Sequence, residues 1–265
     1  NGEEENTSEL EIVKYKDKLM QQVGMLIYDG YPDKVQIGKV SKEKTAVFVD
    51  MIIGAHSAYT QVAALENETL TNLLKQGDDV LPATFKQHPL RSRDIDNDGI
   101  IEIGIPTEPP NSVEYSLVEM PWINLWYKWD NNNALTELAL EEFSDYEQGY
   151  RFNIPEMWKE KYTIKTERDE KLSLTKAEFS YIDSTDKPIA TLLSILYLPS
   201  EISKEEENKL KESGREYFVV KENSTQVVIA VLPKQGTDLK GAQGEEYQRI
   251  ILTKDQLKDY FILEK

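Results

Sequence analysis

Residues 94–105 read Asp94-Ile95-Asp96-Asn97-Asp98-Gly99-Ile100-Ile101-Glu102-Ile103-Gly104-Ile105, an acidic D-x-D-x-D-G-x-x-E loop running straight into an apolar, β-branched strand. Carboxylates at alternate positions converge only if the backbone curls round a point, and glycine at the sixth position permits that sharp turn. Calcium asks for such a shell, about six to eight oxygens at roughly 2.3–2.6 Å. The expected ligands are the side chains of Asp94, Asp96, Asp98 and Glu102, with the carbonyl of Ile100. An EF-hand would need an acid at the twelfth position and flanking helices, but Ile105 stands there and the text that follows is β-rich. Four carboxylates round one point repel one another, so calcium here is expected to stabilise the fold. The plainer alternative is an acidic turn that binds nothing.

Outward from this loop, residues 9 to about 155 read as short strands separated by turn residues. Glu9–Tyr15 alternates, Lys16-Asp17-Lys18 turns, and Leu19–Ile27 runs back; Val35–Val40 is a further strand. Thr45–Ile53 is almost wholly apolar, as befits a central strand buried on both faces. Tyr59–Leu65 and Thr69–Leu74 flank Glu66-Asn67-Glu68, Ile100–Ile105 is ended by Pro106, and Ile123–Trp129 pairs with Leu135–Phe143 round Asp130-Asn131-Asn132-Asn133. Three hairpins share one plan, a strand, a polar turn and a second strand opening on Leu19, Leu70 or Leu135. Their spacing, about 50 and then about 60 residues, suits propeller blades with a loop insertion. About two and a half such blades cannot close a ring of about four to eight, so an incomplete, open stack is expected.

Near Tyr150 the text changes. Phe152-Asn153-Ile154-Pro155-Glu156-Met157-Trp158 leads into strands Tyr162–Thr166, Leu172–Ile182 and Ile189–Leu198. Ser203 is expected to cap a charged helix, Lys204–Glu212, stopped at Gly214. A hairpin, Glu216–Lys221 with Thr225–Leu232, precedes helical text at Glu245–Leu252 and a capping box at Thr253 opening Gln256–Leu263. The predicted fold class is mixed. Residues 1–8 form a disordered acidic tail, 9–149 an all-β region of propeller-like repeats, and 150–265 an α+β domain.

The Asp loop resembles the calcium-binding turn of integrin-type (FG-GAP or VCBS) β-propeller repeats. A wider likeness joins Val47-Phe48-Val49-Asp50, Gly54-Ala55-His56-Ser57-Ala58-Tyr59-Thr60, Arg91-Ser92-Arg93, Pro121-Trp122, Trp126–Asp130 and Phe152–Lys159. Together they resemble the C-terminal part of exported lipoproteins of Gram-positive bacteria, over about Glu9 to Glu264. That resemblance implies a non-enzymatic, envelope-anchored extracellular protein, with a lipid anchor and further blades upstream that this chain lacks. The opening Asn1-Gly2-Glu3-Glu4-Glu5 is expected to be a mature or excised start.

Composition narrows the field. The chain has 265 residues with 48 acidic against 31 basic side chains, a net charge of −17 that repels nucleic acid and anionic lipid alike. No run of about 18 apolar residues offers a membrane span. Cysteine is absent, which removes thiol nucleophiles, disulfides and sulfur-ligated zinc.

Other candidates are weaker. His56 beside Ser57 lacks a readable third group, and neighbours on a strand point to opposite faces. His88, before Pro89, offers at most a surface ligand. Trp122, Trp126 and Trp129 could form a sugar-binding platform, against the plain reading that large aromatics are packed inside. Glu141 with Glu142, or Asp50 with Asp94, could be imagined as a glycosidase pair, but carboxylates are abundant enough to pair by chance. The favoured expectation is a non-catalytic, calcium-stabilised binding or structural protein with an unknown protein or cell-wall partner. The alternative is a secreted carbohydrate-binding or carbohydrate-active protein using the tryptophan region.

Overall fold

A computed structural model describes residues 7–74, 83–129, 135–145, 149–169, 173–234 and 238–264. It is mostly antiparallel β-sheet with a small helical part, and no sheet closes into a barrel among the described residues. None of the described helices is long and apolar enough to cross a membrane. The chain forms two compact units, and they are interleaved. Unit 1 takes residues 1–106 and 124–140, and unit 2 takes 107–123 and 141–265. The expected junction at 149/150 falls inside unit 2, and the strand of Thr7 and Ser8 begins within the expected tail.

Unit 1 opens with the hairpin β1 (Thr7–Lys16) and β2 (Leu19–Asp29). Asp17 and Lys18, at φ 53° and 66°, make the two-residue left-handed turn whose twist suits paired strands. A four-stranded meander follows: β3 (Tyr31–Lys39), β4 (Thr45–Gly54), β5 (Ser57–Glu66) and β6 (Thr69–Asn72). Asn67 and Glu68, at φ 49° and 63°, repeat the same turn between β5 and β6. β4 is central and buried on both faces, as its apolar text implied. Its Ala46 and Phe48 join Val62, Ile103 and Trp129 in one cluster. Val49 and Met51 point the other way, to Tyr28 and Tyr59. Burying side chains of this size stabilises by about 1.5–3 kcal/mol each. On the hairpin, Tyr15, Met20 and Ile27 stay exposed.

The Asp loop leads into β7 (Ile103–Thr107), shorter than the expected strand and including Pro106 rather than ending at it. Ile100 and Glu102 are instead held by single bridges, Ile100 to Lys39 and Glu102 to Arg93. β8 (Ile123–Trp129) neighbours β7, and β9 (Leu135–Asp145) runs from unit 1 into unit 2. The expected turn at Asp130–Asn133 lies outside the described residues.

In unit 2 the last part of β9 pairs with β10 (Tyr150–Asn153), a strand in the stretch read as a lead-in phrase. β11 (Tyr162–Asp169), β12 (Leu174–Ile182) and β13 (Pro188–Pro199) begin a five-stranded sheet. α1 (Ser200–Glu212) follows directly, and β14 (Tyr217–Glu222) and β15 (Gln226–Val231) complete the sheet in the order β11-β12-β13-β15-β14. Ser203 is no cap: α1 starts a turn earlier, and the Ser203 hydroxyl donates to the Ser200 carbonyl at 2.9 Å. α2 (Gly241–Ile250) starts four residues before its expected position. The capping box at Thr253 is present, with Gln256 N–H donating to the Thr253 hydroxyl. It opens only α3 (Lys254–Lys258), and the expected helical tail turns into β16 (Phe261–Leu263), which pairs with β10.

Candidate metal centre

The Asp loop is pinned at its base. Arg93 and Glu102 exchange both backbone hydrogen bonds, at 3.1 and 2.9 Å, and Ile101 N–H donates to the Lys39 carbonyl at 2.8 Å. Within that frame the aspartates hold the backbone curl. Asp94 accepts from the N–H groups of Asp98 (3.1 Å) and Gly99 (2.9 Å), and Asp96 accepts from Asp98 N–H at 3.2 Å. Asp98 accepts from Ile100 N–H at 2.8 Å. Gly99 has φ +85°, and a Cβ there would meet nothing within 4 Å. The requirement for glycine is therefore one of backbone conformation rather than of space.

Carboxylate oxygens of Asp94, Asp96 and Glu102 all lie within 4.8 Å of one another. Two oxygens on opposite sides of a calcium ion are separated by about twice the bond length, roughly 4.6–5.2 Å, so this trio fits one shell. Glu102 is the informative member. It is fully buried, and one oxygen accepts from Ile95 N–H at 2.8 Å while the other, Oε1, accepts no hydrogen bond. Burial first, then the charges of Asp96 and Asp98, raise its carboxyl to about 7, with the Ile95 hydrogen bond and Lys128 opposing. Asp98, an expected ligand, is outside the trio.

Lys128, on β8, reaches this cluster. Its ammonium stands 2.9 Å from Asp96 Oδ2, 2.5 Å from Asp98 Oδ2 and 3.6 Å from Glu102 Oε1. Its hydrogen bond, ahead of the other causes, holds Asp98 below the usual carboxylate range. In turn, burial works against the Lys128 charge, but the hydrogen bonds to Asp98 and Asp96 outweigh it and raise the group. Sequence reasoning missed Lys128. Its one visible signal is a cation between Tyr127 and Trp129 in a strand rich in aromatic residues.

The remaining candidates are scattered. Trp126 packs on Leu90 and Ile95 inside unit 1, with the Arg93 guanidinium 5.0 Å from its ring centre, and Trp129 sits in the Phe48 cluster. Neither ring face is open to a sugar. Trp122 belongs to unit 2, where its indole N–H donates to the Leu117 carbonyl at 3.3 Å. His56 is exposed at the tip of the β4–β5 hairpin. His88 lies partly buried, held below its usual range by burial and then by Lys86. Glu141 accepts from the Tyr162 hydroxyl at 3.1 Å, and Glu142 is buried with Arg151 at 3.5 Å. These adjacent residues share one strand, so the two carboxyls face opposite sides.

Asp50 is buried in a polar knot of its own, also in unit 1. It accepts from the Thr60 hydroxyl (2.6 Å) and from both the N–H and hydroxyl of Ser92 (2.9 Å each). Lys86, equally buried, donates to Thr60 Oγ1 at 2.9 Å and to the Leu90 carbonyl at 2.7 Å. The knot ties β4 and β5 to the segment that feeds the Asp loop. No protein-family model, curated protein or solved structure matches the chain.

Proposed function

We propose that this chain is a non-catalytic, calcium-stabilised binding or structural protein of a bacterial cell envelope, with unit 1 built of propeller-blade-like sheets. The observation that carries the calcium reading is the buried Glu102, whose Oε1 accepts no hydrogen bond and whose carboxylate lies within 4.8 Å of those of Asp94 and Asp96. One ammonium, 3.6 Å from that oxygen, offsets only part of the charge of these clustered acids, and a divalent cation would answer the rest. Asp94, Asp96 and Glu102 would hold the ion, with Asp98 and the Ile100 carbonyl available from the same loop. Calcium would supply charge neutralisation and cross-link the loop to the strand it feeds.

The blade reading draws on the meander β3–β6, four consecutive antiparallel strands, and on the left-handed turn shared by the β1–β2 and β5–β6 hairpins. A binding role draws on the exposed apolar stripe of the β1–β2 hairpin, which has the character of a contact surface. The envelope location rests on the lipoprotein resemblance, and antibody labelling of intact against lysed cells tests it. For calcium the test is a thermal melt in chelator and in millimolar calcium, on wild type and Asp96→Ala. Calcium is expected to raise the wild-type melting temperature by several degrees and to leave the variant unmoved. A flat wild-type response would reduce the loop to an acidic turn.

A further inference from the structure

The ammonium of Lys128 stands where a metal ion would draw on the same acids. It contacts Asp96 and Asp98 directly and lies 3.6 Å from the buried Glu102 Oε1. A divalent ion bound by Asp94, Asp96 and Glu102 would sit within a few ångströms of that positive charge and compete for Asp96. Like charges sharing one set of carboxylates repel, all the more beside the buried Glu102. The lysine nevertheless has a way out. Its stem is long and flexible, and its side chain keeps 14 % exposure, so a turn about its own torsions returns the head to solvent while the strand stays in place.

We propose that Lys128 is a tethered cation that fills the loop in the metal-free chain and must leave for calcium to enter, so that uptake is an exchange of one cation for another. This rests on the calcium reading above and adds its regulation. The exchange has two consequences. The loop keeps its shape without metal, because the ammonium already neutralises part of the carboxylate charge. Calcium affinity is also reduced, to its intrinsic value multiplied by the fraction of time that the lysine spends out of the site. The lysine thereby raises the calcium concentration at which the site fills.

Calorimetric titration of the chelator-treated full chain with calcium chloride, comparing wild type with Lys128→Gln, tests the exchange. If the lysine is out no more than about a tenth of the time, the variant binds about tenfold tighter or better. In chelator the variant melts below wild type, and calcium restores it. Equal affinities would overturn the exchange while leaving the calcium site standing. Absence of binding in both proteins would overturn the exchange and the calcium reading together, making Lys128 a permanent counter-ion. Should Lys128→Gln fail to fold, the wild-type protein still decides. The lysine methylene NMR signal that Lys128→Arg removes must shift to the solvent-exposed position on calcium addition. Calcium binding without that shift would overturn the proposal.

Discussion

At the scale of single residues, the chain handles two buried charges in different ways. Glu102 is left with one oxygen that accepts no hydrogen bond, 3.6 Å from the Lys128 ammonium, whereas Asp50 is enclosed by donors on every side that the structure shows. The cation near Asp50 bears the cost instead. Burial pushes Lys86 down to about 8, with the Asp50 charge opposing. A lysine whose folded value lies below its unfolded value of about 10.4 favours unfolding while it is charged. Its contribution to stability is therefore least below pH 8 and grows as pH rises from about 8 towards 10.4, by on the order of 3 kcal/mol over the whole interval. Urea unfolding at pH 7.5 and 9.5 should show wild type gaining stability with pH and Lys86→Met gaining less; equal gains would place the Lys86 titration elsewhere. The acidic loop was legible in the sequence because its spacing is local, five expected ligands within nine residues. Lys128 was not, since no spacing rule connects a residue on β8 with a loop some thirty positions earlier.

At the scale of elements, alternation and turn residues located most strands, and β4 was recognisable as central from its apolar run alone. One cause of failure is partners that are distant in the chain. Phe261-Ile262-Leu263 is too short for its periodicity to choose between helix and strand. What decides is Phe152, more than a hundred residues earlier, with which Phe261 pairs. Ser203 misled for the opposite reason, because a serine beside charged text is a good cap only when the helix has not yet begun. The hairpin turns carry their own prediction. Glu68 holds φ 63° without being glycine, a conformation costing about 1–2 kcal/mol for most side chains. Among the described residues its side chain pairs only with Lys14, in a salt bridge at 3.4 Å between two exposed groups, which is worth little. Glu68→Gly should therefore raise the urea midpoint, by about 1 kcal/mol of stability. A lowered midpoint would mean that the turn relies on the side chain.

At the scale of the whole molecule, a charge of −17 acts on everything described above. Many of the ion pairs are exposed and contribute little, so net repulsion should prevail over local attraction. Raising sodium chloride from about 20 to about 500 mM shortens the screening length from about 20 to about 4 Å. The melting temperature should climb in wild type and Asp96→Ala alike, and calcium should add to this, at matched ionic strength, in wild type alone. A fall with salt would show that the ion pairs carry more than their exposure implies. Composition made this charge plain, but nothing in it indicated that the two units would be interleaved. That interleaving governs how the protein can be made. During vectorial synthesis unit 1 is incomplete until Leu140 has left the ribosome, and by then residues 107–123 of unit 2 have emerged and must wait for the rest. No single cut point yields both units whole: severing after Pro106 strips unit 1 of residues 124–140, and severing after Leu140 strips unit 2 of residues 107–123.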